Sequence, residues 1–236
     1  MNLTELRQVA WIGDTNLARP ITGVIVNFHG LGDQGGKNSA DYDEAEYAAA
    51  GGLVVFPFCG PWSWMNRNTR SFVDTLLTDV YAALKLSPDM PLIITGGSMG
   101  GHAALLYTRY ARQRITACMA LYPVCDLQYH FSERPDLPRT IRYAFRGYTE
   151  SFDKLFAEHS PLAQVSGLPD IPYLIIHGDV DVAVNKQAHS DKMVAAMRQA
   201  QRRITYLEVT GMGHGSNIPY AILRAKIDFV KSHLAK

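Results

Sequence analysis

The sequence predicts an α/β domain, a mainly parallel sheet covered by helices on both faces, and three observations carry that prediction. Apolar runs of strand length recur at Gly23 to Phe28, Leu53 to Phe58, Pro91 to Thr95, Ile115 to Tyr122, Pro172 to His177 and Ile204 to Val209. Helical periodicity fills most of the intervals between them. The segments just after the strands are rich in glycine and in chemistry-bearing side chains, which is where ligands sit in open parallel sheets. With 236 residues, 47% of them hydrophobic and 19% charged, the chain can bury one large core, and a single domain over residues 1–236 is expected.

The helices follow from spacing. Phe72, Val73, Leu76, Leu77, Val80 and Leu84 trace one face, as do Leu223, Ile227, Val230 and Leu234 near the end of the chain. Ala103, Leu106, Tyr107 and Tyr110 form a third stripe, and Arg112 and Arg114 stand where they would complement the negative end of that helix. About twenty residues precede the first clear strand, so one or both of the antiparallel strands that usually open such a fold are expected to be missing. Asp126 to Asp170 breaks the alternation, and it places Arg139, Arg142 and Arg146 on one helical face with Ile141, Phe145 and Tyr148 on the other. A small cap over the site is expected there, its arginines facing water.

The chemistry centres on Leu92-Ile93-Ile94-Thr95-Gly96-Gly97-Ser98-Met99-Gly100-Gly101, a strand, a glycine corner and the start of a helix. The corner fits GxSxG, which forces the serine into a cramped turn and needs small neighbours around it. After the first strand, His29-Gly30-Leu31-Gly32-Asp33 can turn a backbone amide inward, with Leu31 the candidate. An acyl-transfer site needs two N–H groups aimed at the developing oxyanion, and the second would come from Met99, the residue after the serine. The segment His177-Gly178-Asp179-Val180-Asp181 offers two carboxylates, and Gly211-Met212-Gly213-His214-Gly215 wraps a histidine in glycines that supply freedom rather than packing. His214 is the candidate general base for Ser98. Asp181, Asp179 and Asp126 compete as its acid, with the His-Gly-x-x-Asp spacing favouring Asp181.

These elements together resemble the α/β-hydrolase superfamily over nearly the whole chain. More narrowly the chain is similar to small carboxylesterases of the HGLGD type and to catalytic domains of the prolyl-oligopeptidase kind. By motif position the resemblance implies Ser98 as nucleophile, His214 as base, Asp181 as acid, and Leu31 with Met99 as oxyanion donors; Asp179 becomes a turn residue. The implied activity is a serine carboxylesterase acting through an acyl-enzyme, with a peptidase, a thioesterase or a slow small-molecule receptor of the same fold as alternatives. The length leaves no room for the large propeller of prolyl-oligopeptidase relatives, which weighs against peptidase activity.

Other functions find less support. Formal charge is +1, from 23 basic and 22 acidic side chains, so no global field favours nucleic acid or an anionic membrane. Cys59, Cys118 and Cys125 are an odd set that suggests buried thiols in a reducing compartment. The first residues lack a secretory signal pattern and no apolar stretch reaches membrane-spanning length, so the expected location is the cytoplasm. His29, His102, His177 and His214 lack dedicated ligand spacing, and no Walker lysine is present, so neither a metal nor another cofactor is expected. The expected partner is a small-molecule ester. Phe58 to Asn66 contains Trp62, Trp64 and Met65 beside Gly60 and Pro61, an unusual apolar load for a loop. At least one tryptophan is expected to wall the substrate pocket, facing Tyr129, Phe131 or Phe145 of the cap, so that the ester carries an apolar or aromatic portion.

Overall fold

Each parallel strand must be returned to the same edge of the sheet by a crossover, and here nearly every crossover is helical. The computed structural model describes residues 1–33 and 36–235. Among these, seven strands form one sheet in the order β1-β3-β2-β4-β5-β6-β7: β1 (Ala10–Gly13), β2 (Gly23–Phe28), β3 (Gly52–Pro57), β4 (Leu92–Gly97), β5 (Ala117–Leu121), β6 (Tyr173–Gly178) and β7 (Ile204–Val209). Strands β2 to β7 run parallel, and β1 pairs antiparallel with β3 through Ala10 opposite Pro57 and Gly13 opposite Val54. One opening antiparallel strand is therefore present. Its four residues are too few to show a period in the sequence, and tertiary pairing with β3 decides their conformation.

Side-chain alternation along the strands feeds two cores. On one face Val24, Val26, Ile94 and Ile175 pack with α1 (Leu3–Val9), α3 (Arg67–Ala83), α4 (Met99–Tyr110) and α8 (Lys192–Gln199). On the other, Ile25, Ile93, Met119 and Ile176 pack with α2 (Tyr42–Ala49) and α9 (Tyr220–Ser232). The stripe foreseen on α3 is buried at Val73, Leu76, Leu77 and Val80. Just past the end of α4, Arg112 Nε lies 3.3 Å from Asp74 of α3. No described helix is long and apolar enough to cross a membrane.

Between β5 and β6 the cap consists of α5 (Leu127–Glu133), α6 (Leu137–Ala144), α7 (Phe152–His159) and a 3₁₀ turn at Pro161–Gly167. Arg139, Arg142 and Arg146 are exposed and Ile141 and Phe145 are buried, as the amphipathic pattern requires. The loop before α3 fastens this layer. The Trp64 indole N–H donates to Thr140 Oγ1 at 3.1 Å, and the Asn66 side-chain amide donates to Ala144 O at 2.8 Å. Arg67 and Arg70 both pair with Glu158 of α7, and Arg67 also reaches Glu150 at 2.7 Å.

His159 completes the attachment, and it does so as a neutral ring. It is fully buried, its Nδ1–H donates to Leu155 O at 2.8 Å, and its Nε2 lone pair accepts from Arg70 at 3.2 Å. Burial first, then the neighbouring Arg70 charge, pushes its pKa down to about 4. Since the unfolded chain takes up this proton near about 6.5, stability is complete above that pH and is lost as pH falls toward about 4. The melting temperature should therefore drop between pH 7.5 and 4.5. His159→Gln, which keeps an acceptor for Arg70 but cannot titrate, should show a smaller drop when both are melted across that range.

Candidate active site

Ser98 sits between β4 and α4 with φ 60° and ψ −124°, a backbone region that costs a non-glycine residue of order 1–3 kcal/mol. Close packing explains the glycines around it. A Cβ on Gly100 would lie 2.1 Å from Phe28 O, and one on Gly96 would lie 2.3 Å from Gly100 O. Any side chain at either position would push α4 off the ends of β2 and β4. The serine is thus held rigidly at the carboxyl edge of the sheet, with its N–H bonded to Leu121 O at 3.0 Å.

Loops after β6 and β7 meet at this edge. His214 Nε2 lies 2.9 Å from Ser98 Oγ, and His214 Nδ1 lies 2.7 Å from Asp181 Oδ2. A chain hydroxyl–imidazole–carboxylate results, in which the ring nitrogen facing the carboxylate carries the proton and the other is free to accept the serine's. Asp181 Oδ1 accepts the N–H groups of Ala183 at 2.8 Å and Val184 at 3.0 Å. Burial opposes the charge on Asp181, but hydrogen bonds from His177, His214, Val184 and Ala183 outweigh it and hold the carboxyl well below the usual carboxylate range. The competing acids are engaged elsewhere: Asp126 caps α5 through the Tyr129 N–H at 3.0 Å, and Asp179 accepts the Gly211 N–H at 2.7 Å, tying the two loops together.

Among the described residues, neither the Leu31 N–H nor the Met99 N–H meets an acceptor. Leu31 lies in the turn after β2, which is held by the Gly32 N–H donating to Pro61 O at 2.9 Å, and Met99 is the first residue of α4. Two unspent donors beside a serine can stabilise an oxyanion.

A cavity of about 670 Å³ opens over Ser98 and His214. Of the two tryptophans expected to wall it, one does. Trp64 borders it, but the ring is 1% exposed and wedged edge-on against His102 and His130, so most of its surface plugs the space under the cap. The backbone there is left-handed at two consecutive residues, Trp64 (φ 42°) and Met65 (φ 45°). Trp62 lies outside the cavity lining, packing against Tyr143 at 5.5 Å with Arg139 over its ring. Tyr129, Phe131 and Phe145 do not border the cavity either, because Phe131 packs on Phe152 and Phe156, Phe145 on His159, and Tyr129 on His189. The cap contributes His130 and Arg134 instead, and α2 and α9 contribute Asp43, Tyr47 and Lys226. The apolar pocket expected from the tryptophans is thus replaced by a largely polar one.

Tyr122, which belongs to no motif, also joins the site. Its φ is 36°, its ring lies 4.6 Å from the His214 ring, and its hydroxyl fits where Gly97 and Gly215 leave room for it. Only the absence of side chains at Gly97 and Gly215 hinted at a large neighbour.

His130, Glu133 and His189 bring three potential ligand atoms within 4.8 Å of one another. Hydrogen bonding accounts for the group. His189 Nδ1 accepts the N–H groups of Cys125 at 3.1 Å and Asp126 at 3.2 Å, so the ring proton is on Nε2, which donates to Glu133 at 3.1 Å. A cation would need the Nε2 lone pair and would turn an Nδ1 proton against those two N–H groups. Glu133 therefore brackets α5 to the segment before α8. The three cysteines are free thiols.

A parallel sheet with a serine at the strand-to-helix corner after β4, and its histidine after the last strand, defines an α/β-hydrolase of the serine hydrolase class. Residues 68–236 match the sequence pattern of the prolyl oligopeptidase family, and the chain belongs to that family. Structures of the same fold include a puromycin-hydrolyzing peptidase of Mycobacterium tuberculosis, with TM-score 0.74 and 19% identity. An acylaminoacyl peptidase of Pyrococcus horikoshii has TM-score 0.78 and 14% identity. Each superposes on 96% of this chain, which spans only 38% and 39% of their lengths respectively. A lipase in its open form has TM-score 0.68 and 15% identity, covering 94% of this chain and 93% of its own. Among curated protein sequences, none matches this chain.

The approach of β6 to the His214 loop gives a test. A Cβ on Gly178 would lie 1.8 Å from Met212 O, two residues before His214. Gly178→Ala should displace that loop and lower turnover on an activated ester by about a hundredfold or more, the cost of roughly 1 Å of misplacement. Far-ultraviolet circular dichroism should stay unchanged. Wild-type turnover would mean that the loop can move without disturbing the site.

Proposed function

We propose that the protein is a serine hydrolase in which Ser98 attacks a carbonyl carbon, His214 takes the serine proton and returns it to the leaving group, and Asp181 fixes the imidazole. Leu31 and Met99 would donate their N–H groups to the oxyanion. The supporting observation is the continuous hydrogen-bonded chain Ser98–His214–Asp181, with links of 2.9 and 2.7 Å, beside those two unspent donors. Water then hydrolyses the acyl-enzyme by the reverse proton path.

For the substrate, we infer a small polar acyl compound, with a short peptide or aminoacyl amide ahead of an apolar ester. Polar and charged groups border the cavity, the His130 ring and Arg134 from the cap and Asp43, Lys226 and Lys37 from elsewhere in the lining. An apolar group pressed against them would strip their hydration without replacing it, whereas amide and hydroxyl groups offer hydrogen bonds in return. The peptidases of similar fold support the same choice. A second reading, a carboxylesterase, is favoured by the lipase that matches along 93% of its length. Both readings place the substrate in solution and need neither metal nor other cofactor.

Ser98→Ala and His214→Ala should each lose about a millionfold in turnover, and the double variant should be little worse than either, because the pair acts as a unit. Near-additive losses would mean that they do not act together. On the wild type, 4-nitroanilides of short polar aminoacyl groups should be hydrolysed, and the 4-nitrophenyl ester of an amino acid should exceed 4-nitrophenyl butyrate in kcat/KM by about tenfold or more. A clear preference for butyrate, with no anilide cleavage, would select the esterase reading.

A further inference from the structure

Asp181 serves two histidines. Besides His214 Nδ1 at 2.7 Å, its Oδ2 lies 3.2 Å from Nε2 of His177, the penultimate residue of β6. The His177 side chain and the Asp181 carboxylate are both 0% exposed. His177 Nε2 also lies 3.1 Å from Val184 O, and its Nδ1 lies 2.6 Å from Ser190 Oγ. Two oxygen acceptors at Nε2 settle where the proton is, because an Nε2 lone pair would face a carbonyl and a carboxylate at once. Nε2 therefore carries hydrogen, and the Nδ1 lone pair takes the hydroxyl proton of Ser190. Ser190 is also fully buried, on a π-helical turn at Gln187–Asp191 that precedes α8.

We propose that His177, held in this tautomer by its two acceptors and in this orientation by Ser190, is a positioning residue that sets how strongly Asp181 holds His214. The inference rests on the triad reading above. The one Nε2–H of His177 is divided between Val184 O at 3.1 Å and Asp181 Oδ2 at 3.2 Å, and a carboxylate oxygen that faces this N–H as well as His214 shares its charge between them, so it stabilises the His214 imidazolium less than an unshared oxygen. The Ala183 and Val184 amides fix Oδ1, while His177 and His214 fix Oδ2, leaving the carboxylate no freedom to rotate. Its strongly favoured ionised state has His177 and His214 among its causes. The other groups acting at this point are Tyr122 from the end of β5 and Arg134 of the cap, whose Nη1 lies 3.4 Å from Ala183 O.

The test is the pH dependence of kcat/KM on an activated ester between pH 5 and 9, measured for the wild type, His177→Leu, His177→Gln and Ser190→Ala. Removing the N–H in His177→Leu gives His214 the whole of Oδ2, so the acidic limb should move upward by about half a pH unit or more. Its kcat should fall about tenfold to a hundredfold with KM within about threefold, because an arrangement and not a binding contact is lost. His177→Gln keeps an N–H within reach and should restore the limb to near its wild-type place. Ser190→Ala removes the hydroxyl that holds the ring at Nδ1, loosening the Nε2–H from Asp181, and should move the limb in the same direction by less. A merely structural His177 would lower the melting temperature and leave the limb of the folded fraction unmoved in every variant, which overturns the inference. Should His177→Leu fail to fold, an unmoved limb in Ser190→Ala overturns it. Activity surviving in Ser98→Ala would instead sink the triad reading itself.

Discussion

A carboxylate cut off from water must be met by protein N–H groups, and the site depends on how Asp181 is met. Four donors reach it: the amides of Ala183 and Val184, His214 at 2.7 Å and His177 at 3.2 Å. Left unsatisfied, a buried charge of this kind would protonate rather than persist. Satisfied, it is a fixed negative charge 2.7 Å from one nitrogen of His214, whose other nitrogen lies 2.9 Å from Ser98 Oγ. His214 itself is about a quarter exposed, at 26%, so its Asp181 side is sheltered while its serine side opens to the cavity.

The sheet makes this meeting possible. Ser98, Asp181 and His214 follow β4, β6 and β7, three parallel strands whose carboxyl ends lie along one edge. Bringing loops together there requires backbone to touch backbone. Gly100 allows α4 to lie on the end of β2, and Gly178 allows β6 to lie against the loop that carries His214. The cap, which gives the cavity part of its polar wall, is attached by separate means, through Trp64 to Thr140 and through Arg67 and Arg70 to Glu158.

Much of this was legible in the sequence because its signals are local. Strands buried on both faces appear as unbroken apolar runs, and GxSxG, His-Gly-x-x-Asp and Gly-His-Gly each confine their chemistry to five residues or so. What was not legible depends on convergence. Trp62 and Trp64 are the same residue two positions apart, yet Trp64 is buried under the cap and Trp62 is half-buried, a difference set by tertiary packing against His102, His130 and Thr140. The polar cavity arises because Asp43, Tyr47, Lys226 and Arg134 come together from α2, α9 and the cap, and no spacing in the chain records that. His177 lies within a visible motif, yet its orientation is set by Ser190, thirteen residues away.

The central claim, that Ser98 is made nucleophilic by an imidazole which Asp181 holds in place, is tested most directly by a fluorophosphonate probe, which forms a stable bond only with an activated serine. Intact mass and peptide mapping should show one adduct on the wild type, on the peptide bearing Ser98. Ser98→Ala should take up none, and His214→Ala should react slower by several orders of magnitude. An adduct on another residue, or wild-type labelling rates in His214→Ala, would contradict the account.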